Sequence, residues 1–346
     1  MLYFQNDYLQ GAHPKILQAL IDTNLVPQPG YTSDEYSQEA AQKIKEACQA
    51  PDAHVFLLSG GTQTNKIVIA SMLQSYQGVL APESGHISVH EAGAIEASGH
   101  KVLTLAHKKG KITASQVSNY IENFYRDGNH SHMVYPGMVY ISHPTEYGTL
   151  YSKEELSALS QVCRHYQIPL FLDGARLIYG LAADETDLDL ASIADLTDVF
   201  YIGGTKAGTL LGEALVFKDS ALPDHFVTRS KQFGALLAKS RLLGVQFKTL
   251  FSDQLYLEIG RHAIEKAQKL RRILTDKGYP LYMDNPTNQV FVILTPQAYH
   301  DLKDKVAVSY WDKNEKGQII VRFATSWSTS DLDLQALDQV LPTYIG

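Results

Sequence analysis

The sequence predicts an α/β protein: a mostly parallel sheet covered by helices on both faces, followed by a smaller α+β unit. Two observations carry that expectation. From about residue 54 to residue 217, short all-apolar runs alternate with amphipathic ones, the pattern of parallel strands buried on both faces and joined by helices. Beyond about residue 219 the pattern changes to two long helical segments and then to strands with turns between them. The 346 residues suffice for two cores. The expected units are residues 1–224, the larger, with an N-terminal arm, and residues 225–346, the smaller.

The elements follow in order. "EYSQEAAQKIKEACQA" places Ala40, Ile44 and Ala47 on one helical stripe. "HVFLLSGGTQTNKIVIASML" reads as a buried strand, a glycine-rich turn and a helix. Strand and helix then alternate through "GVLAP", "HISVHEAGAIEASG" (a helix over 86–99), "KVLTLA", "ITASQVSNYIENFY" and "GMVYISHP". "SKEELSALSQVCRHYQ", "IPLFLDGA", "DLASIADLTD" and "VFYIGGT" continue the alternation, and "GEALVFKD" adds a strand. Past it, helical segments cover roughly 224–253 and 254–277. The tail holds strands in "NQVFVILT", "AVSYWD" and "QIIVRFATSW", then a helix in "TSDLDLQALDQVL".

Composition narrows the class. The net charge is −7 with both signs mixed along the chain, which argues against nucleic acid or an anionic membrane as partner. The two cysteines, Cys48 and Cys163, have no ligand spacing around them and fit a reducing compartment. The N-terminal stretch lacks a basic segment followed by an apolar one. No apolar run approaches the roughly 18 residues of a membrane span. The expectation is a cytoplasmic protein.

In open α/β sheets, ligands bind beyond the carboxyl ends of the strands. Five strand ends here carry polar groups: Gly60-Gly61-Thr62, residues 82–86, residues 143–146, residues 173–176 and Thr205-Lys206. In "SGGTQTN" a glycine-rich turn leads into a helix, whose free N–H groups and dipole suit a phosphate. It is neither GxGxxG nor a Walker A loop. In "YIGGTKAGTLLGEALVF", Lys206 stands in a glycine-flanked loop between two apolar strands, where a desolvated amine can serve as a Schiff-base nucleophile. In "IPLFLDGARLIYG", an apolar run ends in Asp173 with Arg176 three residues on. Both charges are costly to bury unless something offsets them. Pyridoxal 5′-phosphate needs a lysine for its aldehyde, a carboxylate on its ring nitrogen and a phosphate cup. The chain offers cup, aspartate and lysine in that order.

"PLFLDGARL", "GGTKAG", "SGGTQTN" and "ESGHISVHEAGA" resemble the threonine aldolase branch of the pyridoxal-phosphate-dependent β-eliminating lyases, of fold type I. The resemblance covers nearly the whole chain. It implies that Lys206 forms the Schiff base with the cofactor, Asp173 pairs with the ring nitrogen, and Ala175 lies against one ring face. His86 would stack on the other face and act in proton transfer. Gly61 and Thr62 would hold the phosphate, with Thr205 nearby. Arg176 and Arg322 would hold the substrate carboxylate. In "IIVRFAT", strand alternation puts Arg322 on the face of Ile320 and Ala324. Tyr31 in "QPGYTSDEY" matches a family tyrosine near the site.

Three departures from the family pattern bear on the substrate. Where the aldolases begin with Ser-Asp-Thr, whose serine helps bind the carboxylate, this chain has Asn6-Asp7-Tyr8. Where they carry Asn-Thr-His-Asn, it has "SHPTEYGT", so Thr145 or Glu146 falls near the family histidine and His143 is displaced. "FGALLAKSR" stands at the segment that gives a phosphate contact from a neighbouring subunit, with Lys239 or Arg241 as substitutes.

The implied reaction is cleavage of L-threonine or L-allo-threonine to glycine and an aldehyde. A base must remove the β-hydroxyl proton; His86 is the first candidate and Glu146 the second. The alternatives are β-elimination on another amino acid, an aminotransferase, and a cofactor-binding protein without turnover. The resemblance also implies a homodimer or homotetramer with the active site at the subunit interface. His86, His90 and Glu91 have a helical metal spacing but lack H-E-x-x-H, so no metal is expected and His90 and Glu91 are read as capping or covering a helix face. "DGNHSHM" reads as a polar surface loop.

Overall fold

A computed structural model describes residues 1–344. Its strands in chain order are β1 (Leu2–Tyr3), β2 (His54–Leu58), β3 (Gln77–Pro82), β4 (Val102–Leu105), β5 (Tyr135–Ser142) and β6 (Leu170–Asp173), then β7 (Val199–Gly203), β8 (Glu213–Phe217), β9 (Gln289–Leu294), β10 (Val306–Ala307), β11 (Ser309–Lys313) and β12 (Ile319–Ala324). Seven of them form one sheet in the order β2-β8-β7-β6-β5-β3-β4. Only β8 runs against its neighbours β2 and β7; the other pairings in this sheet are parallel.

The apolar strands are explained by the cores on the two faces. Val139, Ile141, Leu170, Leu172, Phe200 and Ile202 point into one core. Their alternates Met138, Tyr140, Phe171, Val199 and Tyr201 point into the other. Full burial of one such aliphatic or aromatic side chain is worth about 1.5–3 kcal/mol, so neither face tolerates polar alternation. The polar groups are pushed to the strand ends.

β9, β12 and β11 form an antiparallel sheet, and β1 pairs in parallel with β10. A separate core joins Phe4, Leu270, Leu274, Val292, Val321 and Phe323. The helix Leu255–Asp276 serves two cores. Leu255, Ile259, Ala263 and Ile264 belong to that of the large sheet, and Ala267, Leu270 and Leu274 to that of the smaller unit. The helix Phe226–Gln232 sets Phe226 against Phe56 and Phe217, with ring centres 4.6 and 4.9 Å away. Packing therefore favours a division inside the helix Leu255–Asp276 over one at 224/225, and it places residues 2–4 with the smaller unit.

Two expected helices are broken. Over 86–99 only His86–Val89 is α-helical: the backbone leaves the helix at His90 (φ −129°, ψ 17°), and Ala92 and Gly93 then take left-handed φ values of 51° and 68°. Over 224–253 the helices Phe226–Gln232 and Arg241–Leu250 are separated at Gly234, whose φ is 71°. The helices Pro14–Thr23 and Pro296–Lys303, each opened by a proline, were not anticipated. No helix of the described residues is long and apolar enough to cross a membrane.

Candidate active site

A cleft of ≈ 330 Å³ opens at the carboxyl ends of the parallel strands, lined by Gly60, Gly61, Thr62, His86 and Glu146 on one side. Asp173, Ala175, Arg176, Thr205 and Lys206 line the other. The sheet thus gathers, from five strand ends, most of the residues that the sequence singled out. Asn6, Tyr31 and Arg322 are not among the lining residues.

Asp173 closes β6. Tyr201 Oη and the Ala175 N–H donate to its Oδ1, at 2.5 and 3.0 Å; Tyr140 Oη and Asn65 Nδ2 donate to Oδ2, at 2.6 and 3.1 Å. Burial pushes this carboxyl up, but the His86 charge and the hydrogen bonds outweigh it and hold it below the usual aspartate value. Lys206 follows β7 in the turn after Gly203, with Nζ 5.8 Å from the Tyr8 ring centre. Burial, reinforced by the Arg176 charge, holds its amine below the ordinary lysine value. An ionised acid and a readily deprotonated amine therefore face one cleft. Perturbed groups of this kind mark functional sites.

The glycine-rich end of the cleft, where the sequence expects a phosphate, is built from backbone. Gly61 and Thr62 open the helix Gly61–Met72, before its first intrahelical bond from Thr64 N to Gly60 O (3.0 Å). A Cβ at Gly61 would stand 3.1 Å from Tyr201 Oη, so a side chain there would crowd the donor that holds Asp173.

Glu146 is half-buried: its Oε1 accepts from the His86 N–H at 2.9 Å and from Ser142 Oγ at 2.6 Å. Its Oε2 has no partner, and burial raises its pKa. His143 is displaced further than the sequence suggested. It lies fully buried behind the cleft wall, accepts at Nδ1 from Tyr151 N at 3.3 Å, and burial pulls it down to about 4. Thr145, like Glu146, lines the cleft.

Several placements differ from expectation. Arg176 reaches the cleft, and its Nε and Nη2 donate to Asp7 at 2.7 and 3.0 Å, so that edge of its guanidinium is occupied. Arg322 sits beside the N-terminal arm. It donates to Gln289 Oε1 at 2.9 Å and to Asn6 Oδ1 at 3.2 Å, its guanidinium lies 5.6 Å from the Trp311 ring centre, and its Nε has no partner. Burial and the Arg176 charge lower its pKa to about 10. Tyr31 is half exposed at a φ of 57°, with Lys231 Nζ 4.6 Å from its ring centre. Arg241 donates to Thr23 O at 2.6 Å and to Val26 O, which ties down the segment before Tyr31, while Lys239 is exposed. Glu91 does not cover a helix face. It is buried and bonded to His86 Nδ1 at 2.8 Å, whereas His90 is exposed.

Sequence reasoning missed Asp7, Asn65, Glu91, Tyr140, Tyr201 and Glu213. Glu213 opens β8 and lines the cleft; its carboxylate accepts from Thr205 Oγ1 at 2.9 Å and Gly204 N at 3.1 Å. Burial pushes it up to about 7, against the opposing pull of Lys206. A signal existed for three of these. A tyrosine inside an apolar strand needs a hydroxyl partner, and a carboxylate at the edge of an apolar strand asks the same question at Glu213 as at Asp173.

A family model of the beta-eliminating lyases matches residues 14–296. A low specificity L-threonine aldolase of Pseudomonas sp. (strain NCIMB 10558) is 30% identical over 96% of this chain and 95% of its own length. A second, of Pseudomonas aeruginosa, is 30% identical over 94% of this chain and 93% of its own. Among solved structures, a Leishmania major threonine aldolase superposes with a TM-score of 0.94 at 41% identity, over 98% of each chain. An aspartate aminotransferase of Thermus thermophilus, at 15% identity and a TM-score of 0.72, shares the fold alone. Matched over most of its length, and built on the fold type I architecture of pyridoxal-phosphate enzymes, the chain belongs to the beta-eliminating lyase family.

Proposed function

We propose that the protein is a pyridoxal 5′-phosphate-dependent carbon–carbon lyase that cleaves β-hydroxy amino acids, L-threonine and L-allo-threonine first, to glycine and an aldehyde. The observation that carries this reading is the pairing, across one cleft, of an acid kept ionised at Asp173 with an amine held below its ordinary value at Lys206. The residues present fit the cofactor. Lys206 would hold its aldehyde carbon covalently, Asp173 its ring nitrogen, and Gly61, Thr62 and Thr205 its phosphate, with Ala175 and His86 against the ring. When bound, the cofactor supplies an electron sink for the pair released at the substrate Cα.

The chain's own residues supply binding and proton handling. Arg322, with an unpartnered Nε and with Asn6 beside it, is the stronger candidate for the substrate carboxylate. Arg176 gives its Nε and Nη2 to Asp7, which holds the arm in place, and as a lining residue of the cleft it keeps Nη1 as a second donor for the carboxylate. Cleavage needs a base within reach of the β-hydroxyl. His86 turns Nδ1 to Glu91 and leaves its other ring nitrogen for the cleft, which supports it as that base. Glu146 Oε2, a buried acceptor without a partner near the site of the family histidine, supports a role for Glu146 in receiving the hydroxyl.

Exposed Leu17, Ile21 and Leu25, on and just after the helix Pro14–Thr23, support a homo-oligomer. The two buried, unpaired cysteines support a cytoplasmic location.

The test is an absorbance spectrum followed by product assays. A band near ~420 nm, the region of a pyridoxal cofactor held by a lysine amine, should be present in the wild type and lost in Lys206→Ala. Glycine and acetaldehyde should then form from threonine. Ammonia with 2-oxobutyrate from threonine, or with pyruvate from serine, would instead move the enzyme to β-elimination. A protein that stays colourless with added cofactor would overturn the reading.

A further inference from the structure

Glu91 has no part in the reaction outlined above, yet its side chain is 0% exposed beneath His86, whose own is 39% exposed. Its Oε1 accepts two hydrogen bonds, from His86 Nδ1 at 2.8 Å and from Asn65 Nδ2 at 2.7 Å. The same Asn65 nitrogen donates to Asp173 Oδ2 at 3.1 Å. An amide NH₂ can only donate, so Oε1 is an acceptor and the proton of the His86 contact sits on Nδ1. The lone pair of the neutral ring is then on Nε2, at the edge away from Glu91. The backbone is shaped for this contact: the helical turn ends after Val89 at His90, whose φ is −129° and ψ 17°, and left-handed Ala92 and Gly93 follow Glu91, so Glu91 stands outside the helical turn. An α-helix continued through residue 91 would set His86 and Glu91 five residues apart, off the shared face.

We propose that Glu91 is a positioning residue for His86. It fixes the imidazole as the Nδ1–H tautomer, so that Nε2 takes the proton released when the substrate breaks down, and Asn65 ties this acid–histidine pair to Asp173. The step balances simply. The O–H bond of the β-hydroxyl breaks as an N–H bond forms at Nε2, the O–H pair closes the aldehyde C=O, and the Cα–Cβ bond breaks with its pair released to the electron sink the cofactor would supply. The imidazolium gives its proton up to water after the aldehyde leaves, and a proton from solvent completes glycine at Cα. The positive charge formed on the ring meets an acid that is already hydrogen-bonded to it, without rearrangement. Asn65 spans the floor between two acids, so His86 is held relative to the residue assigned to the cofactor ring nitrogen.

The inference rests on His86 acting as the base, and its test separates the two. Ring-¹⁵N-labelled histidine in the holoenzyme reads the tautomer without any substrate. His86 should be Nδ1–H in the wild type, with the Nε2–H form appearing in Glu91→Leu. In kinetics, E91L should lower kcat about 10²-fold, a typical general-base contribution, with KM within about threefold. In the H86F background E91L should cost nothing further, because Glu91 acts through His86. If E91L does not fold, E91Q, which can keep an oxygen on His86 but loses the charge, is read in the same cycle. It should lower kcat in the wild-type background only. An Nε2–H tautomer in the wild type, equal losses with and without His86, or no loss in either background would overturn the proposal. A wild type that shows the Nδ1–H tautomer but cleaves no β-hydroxy amino acid would instead overturn the reaction and leave the pairing standing.

Discussion

Arg176 and Asp7 form a two-pronged ion pair: Nε and Nη2 donate to the two carboxylate oxygens at 2.7 and 3.0 Å, across 169 residues of sequence. Asn288 Nδ2 adds a third donor to Asp7 at 3.0 Å. Burial pushes the Asp7 carboxyl up, but Arg176, Lys206 and Arg322 overcome this and hold it at about 2. Asp7→Ala leaves the Arg176 guanidinium buried without a counter-charge. The expected loss is about 3–5 kcal/mol of unfolding free energy, read by urea denaturation at pH 7.

The same pair sets an acid limb. Because the folded value lies below the ordinary 3.8, its stabilisation is complete above about pH 4 and is lost as pH falls through about 2. The contribution is on the order of 2 kcal/mol. Asp7→Asn should remove that part of the acid-denaturation profile, and an unchanged profile would contradict the assignment.

Glu213 works in the opposite sense. Its folded value near 7 lies above the ordinary 4.5, so the stabilisation is present below about pH 4.5 and is lost as pH rises to 7. The change across that window is on the order of 3 kcal/mol. Denaturation midpoints of the apoenzyme between pH 5 and 8 should fall with rising pH in the wild type. In Glu213→Gln they should flatten.

The two arginines should separate in kinetics. Arg322→Lys keeps a charge but loses the planar fork. It should raise KM for threonine by about tenfold or more, the loss of one charge-assisted hydrogen bond, while cofactor affinity measured by absorbance titration stays within threefold. Arg176→Lys should instead lower unfolding free energy, through its lost grip on Asp7. Reversal of these outcomes would return the carboxylate to Arg176.

Glu146→Gln tests the unpartnered Oε2. If that oxygen receives the hydroxyl, kcat should fall by about 10- to 100-fold with cofactor binding intact. Unchanged kcat would reduce Glu146 to the bonds it makes with His86 N and Ser142.

Much of the fold, and the ends of the site, were legible because they are local. Apolar strands announce themselves by composition, and a charged residue at their end stands out, as Asp173 and Lys206 did. What was illegible is non-local. Asp173 is held by Tyr140, Tyr201 and Asn65, which lie 33, 28 and 108 residues away, and no spacing rule reaches that far. The identity of Arg176 was visible, but its occupation by Asp7 was not. The break in the expected helix over 86–99 is invisible in the sequence because the backbone leaves the helix at His90 and Ala92, a good helix former, then adopts a left-handed φ that its residue type does not signal. A unit boundary is hard to read from sequence here because one unbroken helix, Leu255–Asp276, feeds two cores, and helical periodicity is blind to which core a stripe faces.

β1 pairs Leu2 with Val306 and Tyr3 with Ala307, and the arm that follows delivers Asp7 to Arg176 and Asn6 to Arg322. On the ribosome this first stretch leaves the tunnel long before its partners exist. At roughly 5–20 residues per second it waits on the order of 15–60 s for β10. Through that interval the large sheet can assemble while Arg176 still lacks its counter-charge. Until β10 exists β1 has no strand to pair with, so the arm that carries Asp7 to Arg176 lacks that anchor while the large sheet is being made.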